Sequence, residues 1–183
     1  VWTHASGGSF ASPLVIGGTM YLLGEGGRIE ALDAATGRVI WTGSNANPQS
    51  RGLSYWQSAD GRERRLLYTA GNDLRALDAA TGAPIASSGT DGAVDLRQGL
   101  ERAPAELMFT IAPYTPGRVY KDMIILGSFT GEDYQSPPGD IRAYNVRTGA
   151  LVWQFHTIPA PGEVGYGTWD PPEPRKRHGG VNA

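Results

Sequence analysis

No cysteine occurs among the 183 residues. Disulfides and thiolate metal sites are thereby excluded, and any metal must be held by oxygen or imidazole. The absence does not fix the compartment, because a chain of this length can bury a core without covalent staples. Net charge is also small: 16 Lys and Arg against 18 Asp and Glu give −2. Neither nucleic acid nor an acidic lipid surface is therefore expected as a partner. No apolar run approaches the ~20 residues of a membrane helix, and the first residues lack the basic-then-apolar layout of a secretory signal. The chain opens on Val1-Trp2-Thr3 as if within a structural element, so a targeting segment of a longer parent would lie outside it. Histidine is rare, with His4, His156 and His178 alone. None pairs with another at metal-ligand spacing, no Ser, His and Asp grouping suggests a hydrolase, and all three read as structural or surface residues. The Gly-rich stretches lack the Gly-Lys-Ser/Thr of a phosphate-binding loop.

Turn formers are abundant, with 26 Gly and 13 Pro spread between short hydrophobic runs. That spacing punctuates many short strands and does not indicate disorder. One phrase occurs three times: Arg28 to Gly37 (RIEALDAATG), Asp73 to Gly82 (DLRALDAATG) and Asp140 to Gly149 (DIRAYNVRTG). Each is a β-rich run, an Asp or Asn, and a turn ending in Thr-Gly. The side-chain oxygen of Asp33, Asp78 or Asn145 can accept main-chain N–H groups across the turn, and the glycine can take the left-handed conformation at its end. The runs that follow the first and third copies close on Trp41 and Trp153, whereas Ala86 stands at the corresponding place in the second.

Asp33 and Asp78 are 45 residues apart, while Asp78 and Asn145 are 67 apart. An all-strand repeat of about 45 residues is the period of a four-stranded propeller blade, and each blade needs neighbours to bury its faces. A large indole ending an outer strand suits packing between blades. The chain is accordingly expected to be all-β, with about three four-stranded antiparallel blades and long loop insertions. The units fall at about 12–41, 53–86 and 109–155, with an insertion at 87–108 and a C-terminal loop at 156–183. Strands are expected at 12–16, 19–23, 28–32 and 38–41, then at 53–56, 66–69, 74–77 and, degraded, around Ile85. The third unit is expected to use 109–113, 123–127, 141–144 and 151–155, with one helical turn near 100–107. Closed propellers need four to eight blades, so three describe part of one.

The phrase Ala31-Leu32-Asp33-Ala34-Ala35-Thr36-Gly37 with Trp41 resembles the blade motif of the quinoprotein dehydrogenases, eight-bladed enzymes that bind pyrroloquinoline quinone (PQQ) and calcium on the propeller axis. Non-catalytic propellers such as the outer-membrane assembly lipoproteins share that motif, which leaves a scaffold or binding module as the alternative. Further stretches resemble the enzymes: Arg51-Gly52-Leu53-Ser54-Tyr55-Trp56, Gly92-Ala93-Val94-Asp95-Leu96, Pro161 to Trp169, and Gly179-Gly180-Val181-Asn182. The stretches Pro138 to Tyr144 and Trp153 to Pro159 are similar to the membrane-type glucose, quinate and shikimate dehydrogenase branch. The alcohol-oxidising relatives carry a vicinal Cys pair before the Arg of the second motif, and its absence here points away from the methanol-type branch.

The resemblance implies roles for particular residues. Arg51 would contact a PQQ carboxylate, for which a guanidinium fork is well matched. Thr110, before Ile111-Ala112-Pro113, would hydrogen-bond another. Thr130 and Gly131 would lie at the cofactor, and Glu132 would bind calcium, a cation that prefers oxygen ligands. Asp133 would replace Glu132 if the loop were shifted by one. Asn182 would meet the cofactor rim. The stacking Trp and the general base of the family fall outside this chain. The implied activity is oxidation of a sugar or alcohol hydroxyl, with electrons passing to a respiratory quinone or a cytochrome, in the periplasm, with membrane attachment of the parent compatible.

Overall fold

The structure is a computed structural model, and it describes residues 1–5, 11–48, 51–100, 110–111, 113–131 and 136–168. Among the described residues, twelve strands form three four-stranded antiparallel sheets, each in simple chain order. The first holds β1 (Leu14–Ile16), β2 (Thr19–Leu23), β3 (Arg28–Asp33) and β4 (Val39–Asn45). The second holds β5 (Ser54–Gln57), β6 (Arg64–Ala70), β7 (Asp73–Asp78) and β8 (Ala93–Asp95), and the third β9 (Arg118–Tyr120), β10 (Met123–Leu126), β11 (Ile141–Asn145) and β12 (Leu151–Phe155). These are consecutive blades of a β-propeller.

The period-2 alternation of β6 and β7 makes the second sheet the filling of a sandwich. Leu66, Tyr68 and Leu77 pack with Tyr21, Ile29 and Ala31 of the first sheet. Their neighbours Leu67, Leu74 and Ala76 face the other way and pack with Ile124, Leu126 and Tyr144 of the third. Particular polar groups at both seams are bonded across them. The Tyr21 hydroxyl donates to Ala79 O at 3.2 Å. Arg65 Nη1 donates to Val146 O and Arg147 O, each at 3.0 Å.

The three repeats close in the same way. Asp33 Oδ1 accepts from Ala35 N, Thr36 N and Thr36 Oγ1 at 3.1, 2.9 and 2.8 Å. Asp78 Oδ1 does so from Ala80 N, Thr81 N and Thr81 Oγ1 at 3.0, 2.9 and 2.9 Å. Asn145 Oδ1 takes the two main-chain donors, Arg147 N at 2.9 Å and Thr148 N at 3.0 Å. The turn then receives an indole from the preceding blade. Trp41 Nε1 donates to Ala79 O at 3.2 Å, and the ring lies so close over Gly82, whose φ is +73°, that an added Cβ would sit 2.5 Å from it. Trp2 meets the first turn equivalently, donating to Ala34 O at 3.2 Å. At the third turn, where Ala86 replaces the tryptophan, Gly89 and Val94 cover Gly149, and Gly89 N donates to Thr148 O at 2.9 Å.

One departure from the expected strands lies in the same stretch. The fourth strand of the second sheet is not around Ile85. Pro84 makes a single bridge to Leu77, the chain then leaves the sheet, and β8 pairs with the far end of β7 through Leu74↔Val94, inside the segment expected to be loop. The excursion supplies the groups that cover the third turn. A second departure concerns the third sheet, whose first described strand is Arg118–Tyr120, while Thr110, Ile111 and Pro113 of the expected 109–113 lie in no strand. Pro113 and Pro116 lack the N–H a ladder needs, so the segment before Gly117 is held by other bonds. Phe109 and Ala112, with most of the helical turn expected at 100–107, lie outside the described residues.

Two outcomes are expected. Trp41→Ala removes the ring from Gly82 and the bond to Ala79, and should cost about 3 kcal/mol of unfolding free energy in urea; a loss under about 1 kcal/mol contradicts the seam described. The hydrogen bonds from Thr36 hold the Asp33 carboxyl below its ordinary 3.8. A depressed folded pKa contributes stability that is present above the unfolded value and lost as pH falls through the folded one. The urea midpoint of the wild type should therefore fall on acidification below about pH 4, and Asp33→Asn, which copies Asn145, should fall less steeply.

Candidate functional site

The two ends of the sheets differ. Ala34 N donates to Gly18 O at 2.9 Å, so the Thr-Gly turns and the β1–β2 turn share one end. At the other end the segments entering β1, β5 and β9 are joined edge to edge. Ser12 N donates to Arg51 O at 3.1 Å, and Arg51 N to Tyr114 O at 2.6 Å. Ser54 Oγ adds bonds to Pro116 O and Gly117 O at 2.8 and 3.1 Å. The first strands of successive blades are thus the neighbouring ones, which makes this the inner rim of the propeller. Gly52 is buried in the rim while Arg51 is exposed, and among the described residues no ion pair engages the Arg51 guanidinium.

The loops at this end are short in the first two blades, 24–27 and 71–72, and long in the third, 127–140. The base of the long loop is locked. Ser128 Oγ donates to Asp140 O at 2.7 Å, and the fully buried Asp140 carboxylate accepts from Gln154 Nε2 at 2.7 Å and Thr157 N at 3.2 Å. Phe129, Thr130 and Gly131 follow directly from this anchor. Phe129 N donates to Ile111 O at 3.1 Å, and Asn72 Oδ1 accepts from Ile111 N at 2.9 Å. Thr110 is therefore one residue from the bond that ties this segment to Phe129, and the Tyr114 and Phe129 rings are 4.4 Å apart.

Arg51, Thr110, Thr130 and Gly131 are accordingly brought to one end of the second and third sheets. They are not equally accessible. Arg51, Thr110 and Gly131 are exposed, whereas Thr130 is 1 % exposed. Glu132, Asp133 and Asn182 lie outside the described residues. Among the described residues no group of three or more His, Asp or Glu is arranged to hold a metal. His4 and His156 are paired with carboxylates, Glu30 at 2.7 Å and Glu163 at 2.8 Å, and His178 lies outside the described residues.

Several residues at this end carry no role in the sequence reasoning above: Asn72, Tyr114, Ser128, Phe129 and Asp140. Asp140 had a visible signal, since it opens the third copy of the repeated phrase where Arg28 and Asp73 open the others. Asn72 had only its place in a Gly-Asn turn. The large electrostatic shifts lie elsewhere. Burial pushes the Tyr144 hydroxyl up to about 12 and depresses Arg142. Arg142 donates to Leu96 O at 2.7 Å, so these are seam residues and not members of the rim.

Residues 3–183 match the PQQ family described as the glucose/ethanol/alcohol dehydrogenase beta-propeller domain. The chain belongs to this family. The dehydrogenase subunit of the quinone-dependent alcohol dehydrogenase of Acetobacter aceti is 30% identical over 163 residues, covering 83% of this chain and 20% of that protein. The quinone-dependent quinate/shikimate dehydrogenase of Acinetobacter baylyi is 30% identical over 175 residues, covering 79% of the chain and 21% of the relative. The crystal structure of quinohemoprotein alcohol dehydrogenase from Comamonas testosteroni superimposes with a TM-score of 0.60 at 27% identity, over 87% of this chain and 22% of that one. This PQQ propeller chain therefore spans about a fifth of the length of the curated relatives it matches. Equal identity to alcohol and quinate/shikimate enzymes does not separate the two branches.

Proposed function

We propose that the chain is one sector of a PQQ- and calcium-dependent dehydrogenase that oxidises a hydroxyl of a sugar, polyol or other alcohol in the periplasm, and that the inner rim around Arg51 holds the cofactor. The observation that carries this reading is the convergence of an exposed guanidinium, an exposed hydroxyl and an exposed glycine main chain on one end of the sheets. That donor set fits a planar molecule bearing several carboxylates. The guanidinium offers a two-pronged contact to one carboxylate, and Thr110 Oγ1 and the Gly131 N–H offer single donors to others. Thr130, being buried, supports the loop from beneath. The PQQ family match and the alcohol, glycerol and quinate/shikimate activities in the relatives' names favour the same reading.

When bound, the quinone supplies a two-electron acceptor for the carbon that bears the substrate hydroxyl. The protein's own part in this sector is to bind and orient. Arg51 is fixed through its main chain, whose N–H and C=O are both used in the rim, so only its side chain remains to swing onto a ligand. The locked base of 127–140 holds Gly131 at the edge of the site. Glu132, one residue further, is the carboxylate assigned to calcium, and Asn182 is assigned to the cofactor rim. The proton acceptor for the substrate hydroxyl belongs to other blades, as do the contacts to a quinone or cytochrome electron acceptor.

In the complete polypeptide that carries this segment, reconstitution with PQQ and calcium should give dye-linked oxidation of sugars or alcohols. Arg51→Ala should weaken PQQ binding roughly 10- to 100-fold, the range for losing a hydrogen bond to a charged group. Glu132→Ala should abolish turnover. Retained activity in Glu132→Ala would remove the metal assignment, and a purified protein that never acquires the quinone absorbance would favour a scaffold instead.

A further inference from the structure

Two large aromatic side chains stand out at the rim. Tyr114 is 46% exposed and Phe129 is 37% exposed, yet their rings lie 4.4 Å apart at 56°, a tilted contact within the favourable range for aromatic pairs. Exposed apolar residues scattered singly need no explanation, but a contiguous pair beside a binding rim does. Exposed Val39, Ile40, Leu151, Val152 and Phe155 belong to outer strands β4 and β12. Tyr114 and Phe129 instead sit at the inner end, next to Arg51 and Thr110.

The pair is also held unusually firmly for a segment outside any strand. Ile111 is fully buried, its N–H is bonded to Asn72 Oδ1 at 2.9 Å, and its carbonyl accepts Phe129 N at 3.1 Å. Thr69 Oγ1 donates to Pro113 O at 3.2 Å. Tyr114 O accepts Arg51 N at 2.6 Å. Pro113 and Pro116 on either side restrict the main chain further. Tyr114 is thus tied to the candidate carboxylate-binding arginine through its own carbonyl, and Phe129 to the segment bearing Thr110 through its own N–H. A surface so fixed costs little ordering entropy when a ligand covers it.

We propose that Tyr114 and Phe129 form an aromatic wall against which the ring system of the planar, carboxylated cofactor rests while Arg51 and Thr110 hold its carboxylates. The inference depends on the reading of the rim given above. It adds two binding residues and a division of labour: charge recognition by Arg51, and contact with the flat apolar surface by the aromatic pair. Aromatic edges and faces suit a flat conjugated ligand, whereas a flexible aliphatic partner would gain nothing from the fixed ring geometry.

The test is equilibrium titration of PQQ into the apo form of the complete polypeptide with calcium present, read by the cofactor's absorbance and by the rise in thermal midpoint, without any turnover assay. Y114A/F129A should bind PQQ at least about 10-fold more weakly than wild type, with Y114L/F129L in between because it keeps apolar volume and loses the rings. If the alanine double variant does not fold, as judged by circular dichroism, the leucine variant decides: wild-type affinity there overturns the proposal. Wild-type affinity in Y114A/F129A with weakened binding in Arg51→Ala overturns the aromatic wall and leaves the rim reading intact. Wild-type affinity in Arg51→Ala as well overturns both.

Discussion

A chain leaving the end of a strand has main-chain N–H groups with no ladder partner, and each propeller repeat here meets that constraint with a single side-chain oxygen. Asp33, Asp78 and Asn145 each gather the N–H groups of the residues two and three positions on. The hairpin so closed is rigid and ends in a glycine with no Cβ, which leaves a flat, bare surface. An indole can then lie directly on it while donating to the first turn carbonyl, as Trp41 does from the preceding blade and Trp2 from the N-terminal segment. Local satisfaction of the backbone thus creates the seam between blades. The seams stack the sheets, and the stacking brings the first strands side by side so that Ser12, Arg51 and Tyr114 share main-chain bonds at the rim.

The repeat is the part of the molecule that its residues announce most clearly, because it rests on local chemistry: turn acceptors, a left-handed glycine and period-2 hydrophobicity act within ten residues. The expected hairpins of the first sheet and the inner hairpin of the second follow from those signals. Where the repeat degrades, the outcome depends on contacts distant in sequence. Ala86 gives no hint that Gly89 and Val94 will take over from a tryptophan at the third turn. Similarly, 109–113 has the composition of a strand, but Pro113 and Pro116 cannot donate to a ladder, and Ile111 and Pro113 are pinned instead by Asn72 and Thr69 from another blade.

The candidate site shows the same division. Arg51, Thr110 and Thr130 draw attention through resemblance to the quinoprotein dehydrogenases, and the fold gives them a common end. Their differing exposure was not legible, since burial of Thr130 depends on how the base of 127–140 is locked by Ser128 and Asp140. Tyr114 and Phe129 were invisible for a related reason. They are 15 residues apart in sequence and meet only because β9 and β10 are antiparallel neighbours.

The central claim is that ligand recognition belongs to the rim end, opposite the Thr-Gly turns, with Arg51 as its charged anchor. A crystal structure of the complete polypeptide with PQQ tests it most directly. The account predicts cofactor density within hydrogen-bonding distance of the Arg51 guanidinium. Density at the end that carries Asp33, Asp78 and Asn145, or an Arg51 side chain turned away from a bound cofactor, would contradict it.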